Sequence, residues 1–256
     1  MEIELDSPTP SEPGAPAIWG PVATLFWAIV VAIVFVVAQT VTLGFYLILA
    51  IGEPPLSKLH ETAQALTSDG TFLALCTFVT LFVCTPIIIG IAKLKRGSVL
   101  KEYLGLKAPP LRQLVRWTAL TLCFCVLTDL LLVLLGRHVA SPFMLEAYRS
   151  ASPRWLLWLA VGIAAPVSEE IFFRGFVFPG FAATRLRWTG AAIITSASWA
   201  AIHVQYDWTE ILVIFGLGLV LGTVRAMTGS TLLTIWLHVL VNVIATVEVA
   251  IALRQI

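Results

Sequence analysis

The sequence predicts an all-α, polytopic integral membrane bundle of about seven transmembrane helices. Three observations carry this. Of the 256 residues, 59% are hydrophobic and 12% are charged, where a soluble domain has about 45–50% and about 25%, so there are too few charges to cover a soluble surface. The apolar residues come in runs that reach the roughly 20 residues a membrane-crossing helix needs. No run alternates as a strand does, and an open sheet edge could not survive in lipid. The net charge of +1 decides nothing by itself, but no basic stripe of the kind nucleic acid demands is present. Membrane lipid is the expected surrounding, and no nucleic-acid partner is expected.

Taken in order, residues 1–18 are an acidic, Pro-rich tail with Glu2, Glu4, Asp6 and Glu12 and without Lys or Arg. A signal peptide needs a basic start, so this segment reads as disordered and the first apolar run as a retained span. That run is Trp19 to Ile51, closed by Gly52-Glu53-Pro54-Pro55, and a polar connection leads to Gly70. Thr71 to Ala92 is the second span. A basic loop follows, with Lys93, Lys95, Arg96, Lys101, Lys107, Arg112 and Arg116. The third span is Trp117 to Leu135, and a loop runs from Gly136 to Pro153. The fourth is Arg154 to Ala183, closed by Arg185 and Arg187. A short fifth segment is Gly190 to His203. The sixth, Trp208 to Met227, carries Gly216, Gly218 and Gly222 at a spacing that lets helices approach closely. Ser230 can cap the seventh, Thr231 to Ala252. Residues 19–153 thus form the amino-terminal helices and loops, and residues 154–256 complete the same membrane domain.

Basic residues concentrate on the cytoplasmic side of membrane proteins. With seven spans and the amino terminus inside, the Lys93–Arg116 loop, Arg185, Arg187 and Arg225 fall inside, while Lys58, Arg137, Arg149, Arg154 and Arg254 fall outside. The expected location is the plasma membrane of a prokaryote. If the short fifth segment does not cross, everything after it is reversed. Cys76, Cys84, Cys123 and Cys125 lie in apolar stretches without C-x-x-C spacing and read as small buried hydrophobes. The Trp and Phe side chains are expected mostly at lipid or the interface.

An ionisable group at mid-bilayer costs about 2.5–3.5 kcal/mol on insertion scales and is kept where it has partners or faces a cavity. The apolar segments hold Glu169, Glu170, Arg174, His203, His238, Asn242, Asp129 and Glu248. Glu170 and Arg174 are i,i+4 and can pair on one helix face, while Glu169 points about 100° away. Trp199 and His203 have the same spacing, as do His238 and Asn242. Three helices that each offer one polar face suggest a shared internal site. Structural readings compete: a Glu–Arg clamp between helices, and interhelical glue from His238 and Asn242. Asp129 has no charged neighbour at helical spacing and reads as a local or interhelical hydrogen-bonder. Glu248 reads as interfacial.

The motifs E-E-x-x-x-R (Glu169, Glu170, Arg174), aromatic-x-x-x-His (Trp199, His203) and His-x-x-x-Asn (His238, Asn242), with the flanking FFRGFVFPGF and GSTLLTIWLHVLVN, resemble those of the CAAX prenyl protease and bacteriocin-processing (CPBP, or Abi) family of intramembrane endopeptidases. They fall in the family's order over about Trp155 to Ala252. The second motif usually has Phe where Trp199 stands; both are large aromatics, and the change is expected to matter little. The resemblance implies hydrolysis of a peptide bond in a membrane-anchored or lipidated protein or peptide.

Peptide hydrolysis needs an activated water and a stabilised oxyanion. Glu169 is the candidate base, with His203 helping to hold the water. His238 and Asn242 are the candidate oxyanion donors, and Glu170 with Arg174 orients the site and balances its charge. No cofactor is needed for this. The alternative is zinc held by Glu169, His203 and His238, although no H-E-x-x-H helix is present. Two other classes stay open: a proton-coupled transporter, for which paired acids and histidines also serve, and a non-catalytic immunity or scaffold protein.

Overall fold

The computed structural model describes residues 17–52 and 58–254. The acidic tail, but for its last two residues, and the Glu53-Pro54-Pro55 stop lie outside the described residues. Among the described residues ten helices follow in order: α1 Pro21–Leu49, α2 Leu59–Leu66, α3 Gly70–Leu94, α4 Leu100–Tyr103, α5 Leu111–Leu134, α6 Pro142–Ser150, α7 Arg154–Ala182, α8 Arg187–Ala201, α9 Trp208–Thr228 and α10 Thr231–Ala252. Among the described residues there is no strand.

Six helices (α1, α3, α5, α7, α9 and α10) are long and apolar enough to cross a membrane. The protein is a multi-pass membrane bundle. Its seventh expected span, α8, has 15 residues and so rises about 22 Å, short of a hydrocarbon core about 30 Å thick. Contacts between loops nevertheless show that it runs from one end of the bundle to the other. One end gathers the start of α1, the α3–α5 connection and the α9–α10 turn: Trp19 Nε1 donates to the Ile91 carbonyl at 3.0 Å, and the Thr231 amide donates to the Gly105 carbonyl at 2.8 Å. The opposite end gathers the start of α3, the loop before α7 and the α8–α9 loop. There the Ser152 amide donates to Thr71 Oγ1 at 3.0 Å, and Arg137 pairs with Asp207 at 3.3 Å. Chain direction therefore alternates through α1, α3, α5, α7, α8, α9 and α10. The last stretch of the α8 pass is made by the loop that leads to Asp207.

Local sequence explains the elements. Asp207 caps α9 through the Thr209 and Glu210 amides, and Glu210 returns a bond to the Asp207 amide, which makes a capping box. Ser230 caps α10 by accepting from the Leu233 amide, as its position predicts. Long helices α3 and α7 contain Pro86, Pro166 and Pro179, each at the start of an α-helical stretch that directly follows a π-helical turn. A proline removes one backbone donor and crowds the preceding turn, and the wider turn accommodates it. The close approach of α8 and α9 depends on two glycines: a Cβ on Gly218 would come within 2.8 Å of Ser196 Cβ, and one on Gly222 within 2.9 Å of Ala192 Cβ.

Side-chain placement corrects several expectations. α5 begins at Leu111 and not at Trp117, so Arg112 and Arg116 lie on its first turns, with Arg116 over the Trp117 ring at 5.7 Å. The connections 52–70 and 136–153 contain the short helices α2 and α6. Cys84 and Cys125 are buried, but Cys123 faces outward. Trp117, Trp199, Phe173, Phe176 and Phe178 are core residues, not lipid anchors. α1 exposes Val22, Leu25, Phe26, Ile29 and Ile33, as a helix bordering lipid does.

Candidate functional site

The two adjacent carboxylates of α7 have different surroundings. Glu170 is wholly buried together with Arg174, and the Arg174 Nη1 donates to Glu170 Oε1 at 2.8 Å. Burying a charge this deeply requires a partner. Arg174 also donates from Nη2 to the Gly218 carbonyl at 3.2 Å, which ties α7 to α9, and Arg225 Nε donates to the Arg174 carbonyl at 3.0 Å. Glu169, one residue earlier, turns its side chain, 23% exposed, toward an internal cavity of about 290 Å³.

His238 on α10 joins the two acids. Its Nδ1 lies 3.0 Å from Glu170 Oε1, and its Nε2 lies 3.9 Å from Glu169 Oε2. Glu170 thus fixes the ring and turns the second nitrogen toward Glu169. Trp199 on α8 donates from its indole Nε1 to Glu169 Oε2 at 2.6 Å. His203 lies beyond the end of α8, not on it. The contact expected from the i,i+4 spacing survives through a turn: its Nδ1 is 2.7 Å from the Trp199 carbonyl, and its ring meets the Trp199 ring edge-on at 5.3 Å.

Asn242 borders the same cavity but has a structural bond as well. In the π turn Ala160–Ala164 the Ala165 amide reaches back five residues to the Ala160 carbonyl. The next bond in that register would run from residue 166 to Val161, and residue 166 is proline. Asn242 Nδ2 supplies the missing donor to the Val161 carbonyl at 2.8 Å. One of its two amide protons is therefore committed to the backbone of α7, and the other is left for a ligand.

Of the six residues singled out in the sequence, Glu169, His203, His238 and Asn242 border the cavity, and Glu170 with Arg174 stands behind them. Three features went unread. The Trp199 N–H is one; the second motif was read for its ring alone. The commitment of Asn242 is another, and Pro166 in the sequence was its only signal. The third is an acid pair: the carboxyl groups of Asp129 on α5 and Glu248 on α10 are in hydrogen-bonding reach of each other and line the same cavity. Glu248 itself is half-buried, near the end of α10.

The residues expected to hold zinc were tested against this geometry. Glu169 and His238 stand 3.9 Å apart, and His203 is bound through Nδ1 to a carbonyl. Among the described residues no three His, Cys, Asp or Glu side chains gather closely enough to hold a metal ion.

The segment that builds the cluster also matches a known family. Residues 151–244 match the family described as type II CAAX prenyl endopeptidase Rce1-like. This stretch is similar to that family. It contains all seven motif residues, so the resemblance drawn from the sequence is borne out over that range. The chain is also similar to an uncharacterized 24.3 kDa protein of Escherichia coli, with 34% identity over 113 residues, 41% of this chain and 52% of that protein. The chain thus spans about half the length of this relative. No solved structure matches the chain.

Proposed function

We propose that the protein is an intramembrane endopeptidase of the Rce1-like type, which hydrolyses a peptide bond in a membrane-anchored or lipidated protein or peptide in the plasma membrane of a prokaryote. The observation that carries this reading is the unequal treatment of the paired acids: Glu170 is locked by Arg174 and His238, and Glu169 faces the cavity. A water about 2.8 Å from both Glu169 Oε2 and His238 Nε2 fits over their 3.9 Å separation. Glu169 takes a proton from that water as its oxygen attacks the carbonyl carbon. His203, at the cavity rim beside Trp199, helps hold the water. The developing oxyanion accepts from the second Asn242 amide proton and from His238 Nε2–H. With both His238 nitrogens protonated, Glu169, Glu170, Arg174 and His238 sum to zero charge, and such preorganised donors are worth about 10²–10³ in rate each. The proton on Glu169 then passes to the leaving amine as the C–N bond breaks. Arg174 and Glu170 act by holding His238.

The test is turnover by the full chain in liposomes. The probes are internally quenched peptides that end in a Cys-aliphatic-aliphatic-X sequence, with and without a prenyl group on the Cys. Cleavage that persists after a membrane-permeant chelator is expected. Activity lost with stoichiometric zinc would replace the Glu169-water scheme by a metal-dependent one. No cleavage of either peptide, with proton-driven uptake in a pH gradient instead, would assign the acids to transport.

A further inference from the structure

Trp199 occupies a position where shape alone would suffice to fill the core, yet its one polar atom is directed at Glu169. The side chain is 2% exposed. The Arg174 guanidinium lies over its ring at 4.9 Å, the His203 and His238 rings meet it edge-on at 5.3 and 5.0 Å, and its own carbonyl is held by His203. α8 is in turn held against α9 at Gly218 and Gly222. An indole fixed on every side cannot turn its N–H elsewhere. That N–H lies 2.6 Å from Glu169 Oε2, a short, charge-assisted contact. His238 Nε2, at 3.9 Å from Glu169 Oε2, is beyond hydrogen-bond reach, so the indole donor is what fixes the Glu169 rotamer.

We infer that Trp199 is a positioning residue: its indole N–H holds the Glu169 carboxylate by Oε2 in one orientation over the cavity, and so leaves Oε1 and the second lone pair of Oε2 for water. The consequence for turnover rests on the proteolytic reading above; the contact itself does not. A phenylalanine has no N–H and could not do this.

The experiment separates the two levels. In the full chain, labelled with ¹⁵N at its indoles and held in phospholipid nanodiscs, the Trp199 indole signal is assigned by its absence in Trp199→Phe. It is expected to lie downfield and to move upfield in Glu169→Ala; a signal that does not respond to Glu169→Ala overturns the inference. In the peptide-cleavage assay, Trp199→Phe, and benzothienylalanine placed at residue 199 (the same shape with sulfur for N–H), should lower kcat about 10- to 100-fold, the range of a hydrogen bond to a charged group. In the benzothienylalanine protein, which keeps the packing, KM and thermal stability should stay close to wild-type values. Wild-type kcat in the benzothienylalanine protein overturns the positioning role even if the indole shift is seen. A wild-type protein inert to both peptides refutes the proteolytic reading, and the indole signal alone then decides the inference.

Discussion

Two pairs of carboxyl groups are placed around one cavity, Glu170 behind its wall, under opposite conditions. On α7, Glu170 shares a buried site with Arg174 and His238, and Glu169 beside it receives the Trp199 N–H. Between α5 and α10, Asp129 and Glu248 meet with each other and without a cation bonded to either among the described residues. The first arrangement gives each acid a donor, Arg174 and His238 at Glu170 Oε1 and Trp199 at Glu169 Oε2. The second, half-buried, offers neither acid a donor among the described residues other than the opposite carboxyl, which donates only when it is protonated. The difference separates a site held by charge pairing from one held by a shared proton, and a third pair, Arg137 with Asp207 at the bundle end, extends the scale to half-exposed groups, 41% and 44%.

Loss of a partner should hurt in the order of burial. Arg174→Ala leaves Glu170 as a buried, unpaired charge and should cost about 3–5 kcal/mol in stability, read by chemical unfolding in mixed micelles. Glu170→Gln with Arg174→Met should recover much of that without recovering turnover. A double variant no more stable than Arg174→Ala would break the contrast, because the pair would then not be what holds α7.

The acid pair should respond more weakly and in a way that identifies the shared proton. Asp129→Leu removes the partner of Glu248 and should cost about 1–3 kcal/mol, the penalty of one polar group left unsatisfied. Asp129→Asn keeps a donor for the Glu248 carboxylate and should be close to neutral. Equal losses in the two variants would show that packing, and not the hydrogen bond, is what Asp129 contributes.

The exposed pair should matter least. Arg137→Ala should change stability by about 0–1 kcal/mol, and Asp207→Ala by about 1 kcal/mol through loss of the α9 cap. The bonds from the Thr209 hydroxyl first, and then from the Glu210 and Thr209 amides, hold the Asp207 carboxyl below its ordinary range. Its folded value is thus depressed from about 3.9, so its contribution is complete above that pH and is lost as pH falls through the lower folded value. A cap contribution already lost near neutral pH would contradict this.

What the sequence made legible follows the same division. Partners three or four residues apart on one chain segment are visible in spacing, and so Glu170 with Arg174 and Trp199 with His203 could be named before any coordinates. That held even though Arg174 sits in a π-helical turn and His203 beyond a helix end, because both deviations are smaller than a turn. Contacts between helices leave no such trace. Nothing in the spacing of Asp129 and Glu248 joins α5 to α10, and nothing near Asn242 announces Val161. The helices themselves were legible from their apolar runs, but the start of α5 was not: Arg112 and Arg116 look like loop residues in a window of hydropathy, yet their long stems let them ride on the first turns of a helix with their charges at its end.

The central claim is that adjacent acids divide one task, with Glu169 acting on water and Glu170 holding His238. It is tested most directly by placing the same change at each position and measuring kcat and unfolding free energy side by side on the full chain in lipid. Glu169→Gln should abolish peptide cleavage and leave stability near wild type, since its amide still accepts from Trp199. Glu170→Gln should lower stability, by leaving Arg174 buried without its counter-charge, and should retain a measurable fraction of the cleavage. Full cleavage in Glu169→Gln, or a destabilised Glu169→Gln beside a stable but inactive Glu170→Gln, would contradict the assignment.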